Sequence, residues 1–281
     1  MNAVLPRSGV SRWPVPPLLW ATAAVHAGAA LVLLAAPTQW TWVLAALALN
    51  HAVLTAVGLW PRSTALGENL VRLPATAAAR REVALTIDDG PEPEVTPAVL
   101  ELLEAAGARA TFFCIAERAL RHPELVREIV RRGHSVQNHS HGHRHDFSLL
   151  GPRGFAREIQ AAQSALFELT GEAPRFFRAP AGLRNPFLAP VLHRMGLVLA
   201  SWTRRGFDTR ERDPQRVLQR LTRGLAAGDI LLLHDGHCAR DAQGRAVILT
   251  VLPALLARLR QQGLVPVTLT QSLGAARSAT P

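Results

Sequence analysis

Lysine and tyrosine are absent from the 281 residues. Without tyrosine no phenol can serve as a catalytic acid, and the 31 basic residues are all arginine. Cysteine occurs twice, at Cys114 and Cys238, which is too few for a disulfide framework. Cys114 lies in an apolar run, as a buried core thiol does. Residues 13–61 contain no Asp, Glu or Arg at all. The formal net charge of +10 would suit nucleic acid, an anionic membrane surface or an acidic substrate. The arginines are spread along the chain and none of the usual recognition motifs accompanies them, which argues against nucleic acid.

The uncharged stretch holds two apolar runs, Leu18 to Ala36 and Trp40 to Trp60, separated by Pro37, Thr38 and Gln39. Each is about long enough to cross a bilayer as a helix. Trp13, Trp40, Trp42 and Trp60 stand near the run ends, as interfacial aromatics do. The expectation is a transmembrane helical hairpin over residues 1–61, with helices at about 18–36 and 40–60. A cleaved signal peptide is the competing reading; the length of the first run and the second run directly behind it argue against that. Arg7 and Arg12 precede the first run, and Arg62, Arg72, Arg80 and Arg81 follow the second. The positive-inside rule then places both outer ends, and the domain that follows, on the cytoplasmic side of a bacterial-type inner membrane, with a periplasmic domain as the alternative. His26, Asn50 and His51 fall at similar mid-bilayer depth, where cross-helix hydrogen bonding is the expected role. Residues 62–82 read as a linker.

From residue 83 onward, strand-like and helical segments alternate. Val83 to Ile87, Ala110 to Ile115, Ser135 to Gln137, Arg175 to Arg178, Leu197 to Ala200, Ile230 to Leu233 and Val265 to Leu269 read as strands, with helical spacing between most of them. Such alternation indicates parallel βα units. About seven of them predict an irregular (β/α) barrel over 83–275, behind the two-helix hairpin. Chemistry in such barrels gathers at the C-terminal ends of the strands.

Five polar clusters lie there. Asp88 and Asp89, before the Gly90-Pro91 turn, end the first strand. His139, Ser140, His141, Gly142 and His143 follow the third. Arg178, Ala179, Pro180, Ala181 and Gly182 follow the fourth. Trp202 to Asp208 follow the fifth, and His234 and Asp235 the sixth. His139 and His143 are spaced to put two imidazoles on one face of a helical turn. With one carboxylate they make a three-ligand set with an open position, the pattern of catalytic zinc and of other first-row divalent ions. A second carboxylate can act as base and a histidine across the site as acid.

The clusters resemble the five motifs of the polysaccharide deacetylase family with the NodB homology domain, carbohydrate esterase family 4, over roughly residues 82–270. The resemblance implies Asp88 as catalytic base, Asp89, His139 and His143 as metal ligands, and His234 as catalytic acid. It implies that Ser140 steadies the histidine loop and that Arg178 holds the base. It also implies that Leu232 walls off the acetyl methyl and that Asp208 tunes the acid. Pro180 and Ala181 belong to the third motif, where the backbone N–H at position 181 helps hold the oxyanion. Tyrosine often stands at that position, so Ala181 removes an aromatic surface for a sugar. The fourth motif is poorer, with an arginine where another acid is often found. Arg184, Arg204 and Arg205 together would make the groove cationic and suited to phosphate; solvated surface charge is the alternative.

The expected activity is metal-dependent N-deacetylation of an acetylated amino sugar, on a lipid-linked sugar or envelope glycan. The implied cofactor is a divalent metal, zinc first, with cobalt, nickel or manganese as alternatives. The expected partners are that glycan and the lipid bilayer, without nucleic acid or an obligate protein partner. Hydrolysis of a non-sugar linear amide at the same site, and an inactive glycan-binding or scaffold protein, are the alternatives.

Overall fold

The computed structural model describes residues 12–277; Arg7, used above for orientation, lies outside them. Eight strands form one sheet: Glu82–Asp88 (β1), Thr111–Cys114 (β2), Ser135–Asn138 (β3), Phe176–Phe177 (β4), Val198–Leu199 (β5), Arg204–Arg205 (β6), Ile230–His234 (β7) and Val265–Val267 (β8). The order is β5-β4-β3-β2-β1-β7-β6, with β8 paired to the start of β1. Every pairing is parallel. The sheet curls into a half-barrel with helices around it, the architecture expected from the alternation.

Two apolar faces explain the curl. Successive side chains of a strand point to opposite faces. Val83, Leu85 and Ile87 of β1 therefore face outward, into a core shared with the helices. Ala84 faces inward, into a cluster with Phe113, Phe176, Trp202 and Leu232. Thr86 and Asp88 share the parity of Ala84. The outer helices Thr96–Ala105, Pro123–Arg131, Pro152–Thr170 and Pro214–Thr222 all carry proline in the first turn. There the missing N–H costs nothing, because a first-turn N–H has no intrahelical acceptor. Helix Val247–Gln261 buries Val247, Ile248, Val251, Leu252, Leu255, Leu256 and Leu259 on one side, the periodicity of a helix laid on a sheet.

Four elements lack the signal that marks the others: helices Ala75–Ala79, Ala116–Arg121 and Leu269–Arg277, and strand β6. Residues 62–82, expected to link two units, are packed: Leu66, Leu73 and Ala77 are buried. Leu70 donates its N–H to Leu199 O at 2.8 Å and accepts from the Ser201 N–H at 2.9 Å. Thr203 Oγ1 donates to Val71 O at 2.9 Å, and Leu73 N–H to Gly228 O at 2.9 Å. This segment thus lies against β5 on one side and the β6–β7 region on the other, along the open edge of the half-barrel.

Before it come two helices, Pro17–Ala35 (α1) and Trp40–Gly58 (α2), long and apolar enough to cross a membrane by length and composition. Thr22 Oγ1 donates to Asn50 Oδ1 across them at 3.2 Å, and the His26 and His51 rings meet edge to face at 5.3 Å. The end of α2 touches the barrel directly. Arg184 N–H donates to Gly58 O at 3.2 Å. A Cβ on Gly58 would stand 2.3 Å from Arg184 O, so only glycine allows this approach.

Candidate active site

The polar residues at the ends of β1, β3, β4 and β7 converge on one cleft. In-register pairing sets Asp88 beside His234 and Thr86 beside Leu232. Buried Arg178 holds Asp88 by Nη1 at 2.6 Å and Thr86 Oγ1 by the same nitrogen at 2.8 Å. Its Nε donates to Ala200 O at 3.1 Å and its Nη2 to Ser201 O at 2.8 Å. The guanidinium lies 4.1 Å from the Phe113 ring centroid. Burial lowers the Arg178 pKa, with Asp88 opposing that shift. Ser201 Oγ in turn donates to Pro61 O at 2.6 Å, so a short run of hydrogen bonds joins the exit of α2 to Asp88.

The donor atoms of Asp89, His139 and His143 all lie within 4.8 Å of one another. His139 Nε2 is 3.1 Å and His143 Nε2 3.3 Å from Asp89 Oδ1. His139 Nε2 is also 3.9 Å from Asp88 Oδ2. No helical turn brings the two imidazoles together, contrary to the spacing argument. His143 and Ser140 have φ of 48° and 65°, and the loop is held by side chains instead. Asn138 Oδ1 accepts the Ser140 N–H at 2.9 Å, and Ser140 Oγ accepts the His143 N–H at 3.0 Å. Asn and Ser compete with helix by offering the backbone these local acceptors.

His234 lies opposite. Its N–H donates to Asp208 Oδ2 at 2.7 Å and its Nδ1–H to Asp208 Oδ1 at 2.9 Å. Burial disfavours the imidazolium, but the Asp208 charge and hydrogen bond outweigh it and raise the pKa to about 9. Leu232 is buried in the inner cluster beneath. Pro180 is buried at the start of the loop after β4, and Ala181 follows it with φ 54°. Among the described residues, six of the seven non-glycine residues with positive φ border this cleft: Asp89, Ser140, His143, Ala181, Phe207 and His237. Left-handed backbone costs about 1–2 kcal/mol per such residue and gathers where function requires it.

Residues 75–200 match the family described as Polysaccharide deacetylase. A peptidoglycan-N-acetylglucosamine deacetylase of Bacillus cereus is 32% identical over 193 residues, which cover 68% of this chain and 87% of that protein. The chain belongs to the polysaccharide deacetylase family. Its members are hydrolases that act on N-acetylated sugars. A chitooligosaccharide deacetylase of a Bradyrhizobium species is 33% identical over 190 residues, covering 65% of this chain and 86% of that one. Among solved structures, a family 4 carbohydrate esterase from Streptomyces lividans in complex with acetate superposes with a TM-score of 0.60. It is 32% identical and covers 66% of this chain and 91% of that one.

Deacetylases of this family are divalent-metal enzymes, and the donor set here fits such an ion. His139 Nδ1 meets Arg178 O at 2.8 Å. A carbonyl only accepts, so Nδ1 carries the hydrogen and Nε2 of the neutral ring offers a lone pair. That lone pair faces a carboxylate oxygen, and buried Asp89 Oδ1 has no hydrogen-bond partner. Two acceptors in opposition call for a cation between them: a proton on Nε2, which the Asp88 and Asp89 charges favour despite burial, or a metal ion in its place.

This deacetylase adds a residue that the motifs missed. His237 Nδ1 lies 3.1 Å from Asp89 Oδ2, and its Nε2 lies 2.9 Å from Arg118 Nη2. Arginine only donates, so Nδ1 carries the hydrogen and donates to Asp89. Asp89 is thereby oriented from one side while its other oxygen faces the two histidines. Gly236 makes the approach possible: a Cβ there would stand 2.3 Å from Asp89 O. The signal available was a second histidine three residues after His234. Of the three arginines expected to share the groove, Arg184 is buried against the α2 exit and Arg204 is engaged by Asp229, which leaves Arg205.

Proposed function

We propose that this chain is a membrane-anchored, metal-dependent N-deacetylase of an acetylated amino sugar carried on a lipid or in the envelope. The observation that carries the reading is the pair of unlike groups on either side of one donor cluster. Asp88 has one oxygen engaged by Arg178 and the other near His139. His234 is held as a proton donor by Asp208.

Asp89, His139 and His143 would hold the divalent ion, zinc before cobalt, nickel or manganese, and it would supply Lewis acidity toward the amide carbonyl and water. Asp88 removes the proton of the attacking water through the oxygen that Arg178 leaves free. The Ala181 N–H donates to the oxygen that gains charge as water adds to the carbonyl carbon. Leu232 and Pro180 exclude water around the acyl methyl. His234 Nε2 passes its proton to the amide nitrogen as the C–N bond breaks, so the products are acetate and the free amine. The zinc reading has its own test: the purified protein is expected to hold about one divalent ion per chain, and His139→Ala to lower that content at least tenfold by elemental analysis. Wild-type protein isolated and assayed free of metal with full turnover would refute metal dependence.

The relatives named above are peptidoglycan and chitooligosaccharide deacetylases, which supports a glycan substrate. Two features favour the lipid-linked form. Trp20, Leu31, Leu34, Trp42, Leu44 and Leu49 leave α1 and α2 with an exposed apolar surface, as a bilayer-spanning hairpin requires. The exit of α2 lies against the loop that follows β4, within four residues of Ala181. The arginine flanks favour the cytoplasmic face. In cells expressing the active protein, mass spectrometry of lipid-linked glycans is expected to lose a species one acetyl heavier than its product. The lipid-linked substrate is excluded if the purified protein deacetylates only soluble chitin-like oligomers.

A further inference from the structure

β6 contains two arginines, and the sheet sends them to opposite faces. Arg204 pairs with Leu231 and Arg205 with Leu232. Neighbours in register share a face; Leu231 belongs to the outer core and Leu232 to the inner cluster. Arg204, facing outward, is fully engaged. Its Nε donates to Asp229 Oδ2 at 2.5 Å, and its two Nη atoms donate to Arg223 O and Gly224 O.

Arg205 faces the cleft and is not engaged. Among the described residues its guanidinium makes no hydrogen bond and no ion pair, and its Nε is buried without a partner. Ring faces alone position it, Trp202 at 5.3 Å and Phe207 at 5.0 Å from the guanidinium carbon. The nearby carboxylates are already committed: Asp88 to Arg178, and Asp208 to His234. The positive charge of Arg205 therefore has no bonded partner among the described residues; Asp88, Asp208 and Asp89 act on it only at a distance. The same Trp202 neighbours the chain leaving α2, because a Cβ on Gly182 would stand 2.6 Å from the indole and 2.7 Å from Pro61.

We propose that Arg205 is an anion subsite of the substrate cleft, which binds a phosphate oxygen of a phosphate-bearing acetylated amino sugar. The proposal rests on the deacetylase reading and names its substrate class. Three features point to it. A guanidinium with free donors is the side chain best matched to an oxyanion, through paired N–H bonds. Its contacts with two aromatic rings position the fork in advance, so little freedom is lost on binding. Its position across Trp202 from the α2 exit is where the headgroup phosphate of a lipid carrier would come. A free sugar phosphate offers the same chemistry.

The test uses the full-length, metal-loaded protein with Arg205→Gln and Arg205→Lys. The probes are N-acetylglucosamine 1-phosphate, its neutral methyl glycoside, and the polyprenyl-phosphate-linked sugar in vesicles. In wild type, kcat/KM is expected to favour the phosphate-bearing sugar at least tenfold over the glycoside. That ratio is expected to fall toward one in Arg205→Gln and to recover in part in Arg205→Lys. Inorganic phosphate, titrated directly by calorimetry, is expected to bind at least tenfold more weakly to Arg205→Gln. A preference for the polyprenyl form over the soluble phosphate assigns the anion to a lipid carrier; the reverse assigns it to a free sugar phosphate. An unchanged ratio, or unchanged phosphate affinity, in Arg205→Gln overturns the subsite. Wild type that hydrolyses none of the three sugars instead overturns the deacetylase reading, and the phosphate titration still decides Arg205.

Discussion

Asp88→Asn is expected to lower kcat by about a thousandfold, within the range that general acid–base groups supply. The substitution keeps the size of the side chain and an oxygen facing Arg178, but removes the basic lone pair that would take a proton from water. Asp89, His139 and His143 are untouched, so metal content should stay within error of wild type. Stability should fall as well. Arg178 is 1% exposed, and its charge would lose its carboxylate partner, Asp88 at 2.6 Å. Thr86 Oγ1, Ala200 O and Ser201 O would still accept from it. The loss is therefore that of an ionic hydrogen bond reduced to one between the same cation and a neutral amide, about 1–3 kcal/mol, readable in a urea melt. Activity within tenfold of wild type, in protein shown to be folded and metal-loaded, would remove Asp88 from the mechanism.

Most of this cleft is legible in the sequence because its parts stand at the ends of strands that announce themselves. β1 and β7 are apolar runs broken by acid or histidine, and a strand buried on both faces gives that pattern. β6 could not be read so. It is two arginines long, and its existence depends on the partner it lies against, β7, rather than on any preference of its own. The consequence was functional. Three arginines look equivalent in the sequence, yet only pairing with Leu232 turns Arg205 inward while Arg204 faces out. His237 was hidden for a different reason. It reaches Asp89 because a loop folds back over glycine, and no periodicity encodes such a return. Residues 62–82 misled by composition. Pro74, Gly67 and an alanine run suggest a linker, but a stretch that borders an open sheet edge needs backbone hydrogen bonds more than large side chains.

His234 should set the alkaline limit of the reaction. The group acts in its protonated form, and its pKa in the folded protein is raised to about 9, so kcat is expected to hold through neutrality and fall above that pH. The cause is local, since Asp208 is fully buried and bonds both the backbone and the ring of His234. Asp208→Asn keeps the shape and removes the charge; burial is then opposed by the weaker pull of the Asp88 and Asp89 charges, and the balance shifts toward the neutral ring. The alkaline limb should move down by roughly 1–3 pH units, and His234→Ala should cost about 10²- to 10⁴-fold in kcat below the wild-type limb. Stability follows the same sign. A pKa raised above the ordinary histidine value of about 6.5 means that the His234–Asp208 pair stabilises the fold fully below that value. The contribution is lost as pH rises through about 9. Asp208→Asn should therefore narrow the stability gap between pH 6 and pH 10 in parallel melts, as well as shift the rate profile. A limb that stays where it is in Asp208→Asn would belong to some other group, and His234 would no longer be the acid.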